Sequence, residues 1–297
     1  MSLVTEEHVS FYDENGFVHI DNFLTPEEVS SLKNDISNVI KSSKVPAVVR
    51  PHVQMMGTKY HLDSVATADL FFEKQCVSLD GKLTEPLTAS VHKIAHAVHV
   101  VCEGAKSVTF SEKMCDAVRK LTGYTHPTLM QGMFLLKQPR YGEPSPVHAD
   151  ETYVMSDPQG HVTGVWIALD DSLEHNGCLQ FLPGSHRTHK LSKKWIRKQV
   201  DGHEVGQEGE SIMNFVDEDP DNTANQSLRE EDFVKVEVRS GGLVLINGLV
   251  LHKSDPNHSA DPRAAYTFHF YENDDAVQWS PLNWAQELAD FKFPSLY

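Results

Sequence analysis

From residue 128 onward the chain breaks into short β-forming runs bounded by turn residues, and this pattern restricts the fold more than any other feature. The runs "TLMQGMFLLKQP" (128–139), "HVTGVWIALDD" (161–171), "CLQFLPGS" (178–185) and "AAYTFHFYE" (264–272) are rich in strand formers. The run "FVKVEVRS" (233–240) alternates strictly, and "GGLVLINGLVLHKS" (241–254) reads as two strands around an Asn247-Gly248 turn, a strong hairpin signal. Many short strands after a helical lead-in point to a jelly-roll barrel braced by helices.

The lead-in carries one short strand, "GFVHIDNF" (16–23), followed by a well-marked helix start. Thr25 is a cap candidate, Pro26 suits the first turn, and Glu28 completes a capping box. Val29, Leu32, Ile36, Val39 and Ile40 then recur at helical spacing. Residues 45–82 read as irregular, and further helices are expected near 88–101 and 111–122. The acidic, polar segment 199–232 reads as an insertion or mobile loop between barrel strands, a candidate lid over a site. The whole is expected to be one domain, 1–297: a helical lead-in to 127, a core over 128–272 and a C-terminal tail over 273–297.

Composition narrows the partners. With 26 basic and 42 acidic residues the net charge is −16, which would repel a phosphate backbone or an anionic membrane. The expected partner is a small-molecule substrate, with no nucleic acid and no membrane, and the chain is expected to act as a monomer. Cys76, Cys102, Cys115 and Cys178 are far apart and form no C-x-x-C, so they read as reduced, buried thiols. No secretory signal, membrane-length apolar run or peroxisomal tail is visible, which makes the cytoplasm the expected location, with a nuclear share left open.

The stretch "SPVHADETYV" (145–154) reads as a strand, and residues i and i+2 of a strand share a face. His148 and Asp150 would then present an imidazole and a carboxylate side by side. Alone, the pair is most simply a histidine hydrogen-bonded to a turn aspartate, because 17 histidines make chance matches common. His252, closing the second arm of the Asn-Gly hairpin, offers a third ligand. Two imidazoles and one carboxylate suit the facial triad of non-haem Fe(II) oxygenases, whose opposite octahedral face stays open for co-substrate and dioxygen. Arg263, directly before "AAYTF", offers a guanidinium fork to a carboxylate, in the geometry that holds 2-oxoglutarate.

These residues belong to longer motifs: "NGFVHIDNFLTPEE", "ADLFFEK", "HKIAHAVH", "MFLLKQP", "VHAD", "GVWIALDDSLEHNGCLQFLPGSH", "LVLINGLVLHKS", "RAAYTFHF" and "WSPLNW". Through them the chain resembles the phytanoyl-CoA dioxygenase family over nearly its full length. The resemblance implies a mainly β fold with flanking helices, the double-stranded β-helix (jelly-roll, cupin-like) core of a 2-oxoglutarate-dependent oxygenase. It implies Fe(II), 2-oxoglutarate and O2 as cofactor and co-substrates, with oxidative decarboxylation to succinate and CO2 coupled to hydroxylation of a substrate such as an acyl-CoA or another small molecule. It carries His148, Asp150 and His252 over as iron ligands and Arg263 as the carboxylate anchor, with no catalytic side chain beyond the ligands. It adds Lys93, Met133, Trp166 and Ser254 as co-substrate contacts. By spacing alone these four read as an exposed helix lysine, two ordinary core residues and a turn serine. The acidic segment 199–232 departs from the family pattern.

Three rival readings differ in kind. His92 and His96, four apart on the expected helix with His99 nearby, could share a zinc ion, but no cysteine or acidic partner completes a familiar pattern. A jelly roll can also be a binding module without chemistry, which would have no need of the triad or Arg263. Halogenases of this superfamily lack the carboxylate ligand, and Asp150 is present. The basic stretch "HRTHKLSKKWIRK" (186–198) reads as a solvated amphipathic helix, the alternative being a receiver of an anionic substrate.

Overall fold

The computed structural model describes residues 3–200, 203–204, 211–217 and 228–297. Two antiparallel sheets face each other. The major sheet has seven strands, in the order Phe17–Ile20, Leu243–Asn247, Val162–Ala168, Arg263–Glu272, Pro127–Lys137, Val91–His96 and Ala68–Phe72. The minor sheet has four, in the order Val234–Val236, Leu179–Phe181, His252–Ser254 and Ser145–His148. This is the expected jelly roll.

Period-two alternation divides the burial between two layers. On the strand Arg263–Glu272, Tyr266, Phe268 and Phe270 pack against the helices, in a cluster with Leu32, Val108, Met114 and Val118. Ala265 points the other way, joining Trp166, Ala168, Val244, Leu179 and Phe181 between the sheets. The helix Pro26–Ser42 begins as its sequence dictates. The Thr25 hydroxyl accepts from the Glu28 N–H, and the Glu28 carboxylate accepts from the Thr25 N–H. Its Val29, Leu32 and Ile40 are buried. The helix Glu112–Thr122 also forms, capped by Ser111.

Several expectations are corrected. The expected helix over 88–101 is instead a one-turn helix, the strand Val91–His96 and a second one-turn helix, because the strand is paired on both sides. The irregular stretch 45–82 holds two short α-helices, two 3-10 turns and the strand Ala68–Phe72. Asn247-Gly248 closes no hairpin: the strands before and after it lie in different sheets. The Asn247 side chain instead accepts from the Leu249 N–H at 3.0 Å, steering the chain across the barrel. The basic stretch is not a long amphipathic helix but the short helix Ser185–Thr188 and the strand Lys193–Arg197, paired with Met213–Asp217.

That pairing orders part of the segment expected to be a loop or lid. Gln199–Val200 pairs with His203–Glu204 and Glu230–Asp232 forms a 3-10 turn in the same segment, whereas 201–202, 205–210 and 218–227 lie outside the described residues. All four cysteines are free thiols, with Cys115 only partly buried. Among the described residues no helix is long and apolar enough to cross a membrane.

Candidate metal centre

His148 and His252 are direct cross-strand partners at the edge of the minor sheet, their ring centroids 4.2 Å apart. The strand ends at His148, so Asp150 does not share its face by strand alternation. It opens a short 3-10 turn, Asp150–Thr152, and reaches the same point from there. Asp150 Oδ1 lies 3.8 Å from His148 Nε2 and 3.7 Å from His252 Nε2. Donor atoms of the three residues all fall within 4.8 Å of one another, the only such group among the described residues.

The rings are oriented from behind. His148 Nδ1 lies 2.8 Å from the Pro146 carbonyl and His252 Nδ1 3.1 Å from that of Val250. Each Nδ1–H donates to its carbonyl, which leaves the Nε2 lone pairs facing inward, as the rings of metal-binding histidines are commonly held. Burial, followed by the neighbouring His252, pulls the His148 imidazole down to about 4, so it is neutral and able to ligate at pH 7. Burial would raise the Asp150 carboxyl, but His269 first, then His252 and His148, hold it well below the usual carboxylate range. One carboxylate and two imidazoles fit a divalent iron ion.

Beside this group, the inward face of the major sheet carries an excess of positive charge. Arg263 stands opposite Lys137 in register, and Lys93 opposite Leu135. Arg263 is 3% exposed, yet its Nε and Nη1 have no hydrogen-bond partner. Its guanidinium lies 5.5 Å from the Trp166 ring, whose own buried Nε1 is also unpartnered. Lys137 Nζ donates to Ser254 Oγ at 2.8 Å and to the Asp255 carbonyl at 2.5 Å. Burial lowers all three cations: Arg263 to about 10, Lys93 to about 8, and Lys137, with Arg263 beside it, to about 6. Buried donors without partners, on a wall of cations, suit a ligand carrying carboxylates. Met133 sits on the same wall, opposite Thr267, which in turn faces Trp166. Lys93 thus sits on a strand, not on an exposed helix face.

The rival zinc set does not converge. His92 Nδ1 lies 3.2 Å from Glu73 Oε1, His96 Nδ1 lies 2.7 Å from Ser64 Oγ, and both ring nitrogens of His99 are unpartnered. Of the basic stretch, Arg187 pairs with Asp13 and Arg197 donates to the carbonyls of Asn283 and Trp284. Lys190 and Lys193 instead line a cavity of about 430 Å³ beside His148, with Val147, Tyr153, Leu191 and Phe215.

Four site residues went unread in the sequence. Lys137, Gln131 and His269 lie an even number of residues from Met133 or Arg263 on their strands, so strand alternation alone could have found them. Glu151 carried no local signal. Its fully buried carboxylate accepts from the N–H groups of Gly160 at 2.8 Å and Val162 at 3.1 Å, tying down the turn that presents Asp150.

Comparison with known proteins gives a consistent result. The profile of the family described as phytanoyl-CoA dioxygenase matches residues 12–265. The phytanoyl-CoA dioxygenase domain-containing protein 1 of Mus musculus is 36% identical over 306 aligned positions, covering 100% of both chains. Among solved structures, the non-heme alpha ketoglutarate dependent carbocyclase SnoK of nogalamycin biosynthesis is 18% identical, with a TM-score of 0.61 over 94% of this chain and 87% of its own. The epimerase SnoN, solved in complex with Fe3+, alpha ketoglutarate and nogalamycin RO, is 16% identical, with a TM-score of 0.59 over 98% of each chain.

Proposed function

Because the chain belongs to the phytanoyl-CoA dioxygenase family, we propose that it is an Fe(II)- and 2-oxoglutarate-dependent dioxygenase that hydroxylates a small molecule. The observation that carries this reading is the convergence of His148, Asp150 and His252 within 4.8 Å, with their Nδ1 atoms turned away. Those three residues hold the iron. When bound, iron and 2-oxoglutarate supply the redox chemistry, in which the keto acid is oxidised to succinate and CO2 as dioxygen is reduced.

This chain's own part is binding, orientation and exclusion of water. Arg263 pairs with the far carboxylate of 2-oxoglutarate, which satisfies its unpartnered N–H groups. Ser254, fixed by Lys137, and Lys93 bound the same ligand. Met133 and Trp166 close the wall against water. All these residues come from one chain, so the site needs no second copy. The substrate reaches the metal through the cavity beside His148, where Lys190 and Lys193 suit an acyl-CoA or another small molecule with an anionic group.

The test is succinate release from 2-oxoglutarate by the purified, Fe(II)-loaded protein. Asp150→Ala should lower it at least about 100-fold, beyond what loss of a supporting residue costs, with an unchanged circular dichroism spectrum. Parental succinate release by the folded variant would overturn the reading.

A further inference from the structure

We propose that His269, held by Gln131, is a positioning residue that makes Asp150 present a single oxygen to the metal. This rests on the reading of His148, Asp150 and His252 as a metal centre and goes beyond it. The two carboxylate oxygens of Asp150 face different neighbours. Oδ1 is the atom near His148 and His252, whereas Oδ2 lies 3.3 Å from His269 Nε2.

The direction of the proton follows from the next contact. Gln131 Nε2 lies 3.0 Å from His269 Nδ1. An amide nitrogen only donates, so Nδ1 accepts and the ring proton sits on Nε2, facing Oδ2. Three adjacent strands build this seat at one level: Gln131 and Gly164 flank His269 in register on either side. A side chain at Gly164 would not fit, because its Cβ would stand 2.9 Å from Asp150 Oδ2 and 3.2 Å from His269 Nε2.

The chemical consequence concerns coordination number. A carboxylate with both oxygens free can chelate the metal and occupy a position that the co-substrate or dioxygen needs. Oδ2 is buried without a hydrogen-bond partner, and His269 Nε2, 3.3 Å away, is placed to supply one; with Oδ2 taken up in this way Asp150 offers only Oδ1 and the open face is kept. His269 does this without being a ligand itself, since it is outside the group whose donors converge.

The experiment uses Co(II) as the probe, titrated into the metal-free protein with affinity and ligand-field absorption recorded. His269→Leu removes the donor and should weaken Co(II) binding about 10- to 100-fold and alter the absorption. His269→Gln places an amide N–H near the former Nε2 and should restore the parental spectrum and affinity to within about threefold, well inside that range. Gln131→Met, which frees the ring without touching Asp150, should give a smaller loss in the same direction. Parental affinity and spectrum in His269→Leu overturn the proposal. So does a loss in His269→Gln equal to that in His269→Leu, which would make the ring a ligand or a piece of scaffold. The parent and Asp150→Ala, titrated alongside, report on the metal centre itself: failure of the parent to bind Co(II) would remove both readings.

Discussion

The strand Arg263–Glu272 has two faces built on opposite terms. Toward the helices it presents Tyr266, Phe268 and Phe270, each fully buried among apolar neighbours. The one polar atom among these three side chains, the Tyr266 hydroxyl, is met by Thr109 Oγ1 at 2.6 Å. Toward the minor sheet the same strand presents Arg263, Thr267 and His269, and there the guanidinium is buried with two nitrogens unpartnered. One face is apolar packing; on the other Thr267 donates to the Val165 carbonyl and His269 meets Gln131 and Asp150, while Arg263 keeps two nitrogens free for a ligand. A residue's role in this protein therefore depends on its parity along the strand more than on its depth.

That contrast is most severely tested on the apolar side. Phe268→Ala should cost about 3–5 kcal/mol, the range for a large aromatic removed from a packed core. The measurement is urea unfolding, and Co(II) affinity of the folded fraction should stay at the parental value. A comparable loss of metal affinity in folded protein would show that the two faces are not independent.

On the polar side the expected signs reverse. Arg263→Ala should weaken 2-oxoglutarate binding by about 2–5 kcal/mol, because a bidentate, charge-assisted pair is lost and a buried carboxylate is left alone. Arg263→Lys restores charge but not the fork, so it should recover only part of that affinity by calorimetry. Stability of the ligand-free protein should move the other way: Arg263→Met should raise it by about 1 kcal/mol or more, since an unpartnered buried cation is removed. Destabilisation by that change would mean the guanidinium has a structural partner.

The same parity explains what the sequence disclosed. The helix Pro26–Ser42 was legible because its capping box and apolar spacing are local signals. His148, Asp150, His252 and Arg263 were legible as residue types whose chemistry is narrow, although the route to their convergence was misread. Asp150 arrives from a turn rather than a strand, and His252 from a different sheet than Leu243–Asn247. The strand Val91–His96 was illegible for a physical reason. Its apolar residues Val91, Ile94 and Ala95 mimic a helical period, and what makes it extended is pairing with Ala68–Phe72 and Pro127–Lys137, both distant in sequence. Around Phe71 and Phe72 the register shifts as well, which breaks strict alternation. His269 and Gln131 needed only the alternation, but a histidine and a glutamine within β-forming runs gave no reason to single them out.

An effect visible only as a difference between two pH values is expected at Glu73, just beyond the end of the strand Ala68–Phe72 and close to the cationic wall. Its carboxyl is fully buried, neither oxygen has a hydrogen-bond partner, and Oε1 lies 3.2 Å from His92 Nδ1. Burial pushes this carboxyl from 4.5 up to about 7. Burial also holds His92 down to about 3, so the imidazole is no cation at neutral pH. A folded-state value above the unfolded one means that the native protein binds the extra proton between about pH 4.5 and 7. The associated stability is therefore fully present below that window and is lost as pH rises through it. Glu73→Gln keeps the shape and removes the titration. Between pH 5 and 8 the parent should lose on the order of 2 kcal/mol more than Glu73→Gln in urea unfolding. Parallel stability profiles for the two proteins would mean that the carboxyl titrates at its unfolded value, and Glu73 would then count among the satisfied groups of the scaffold.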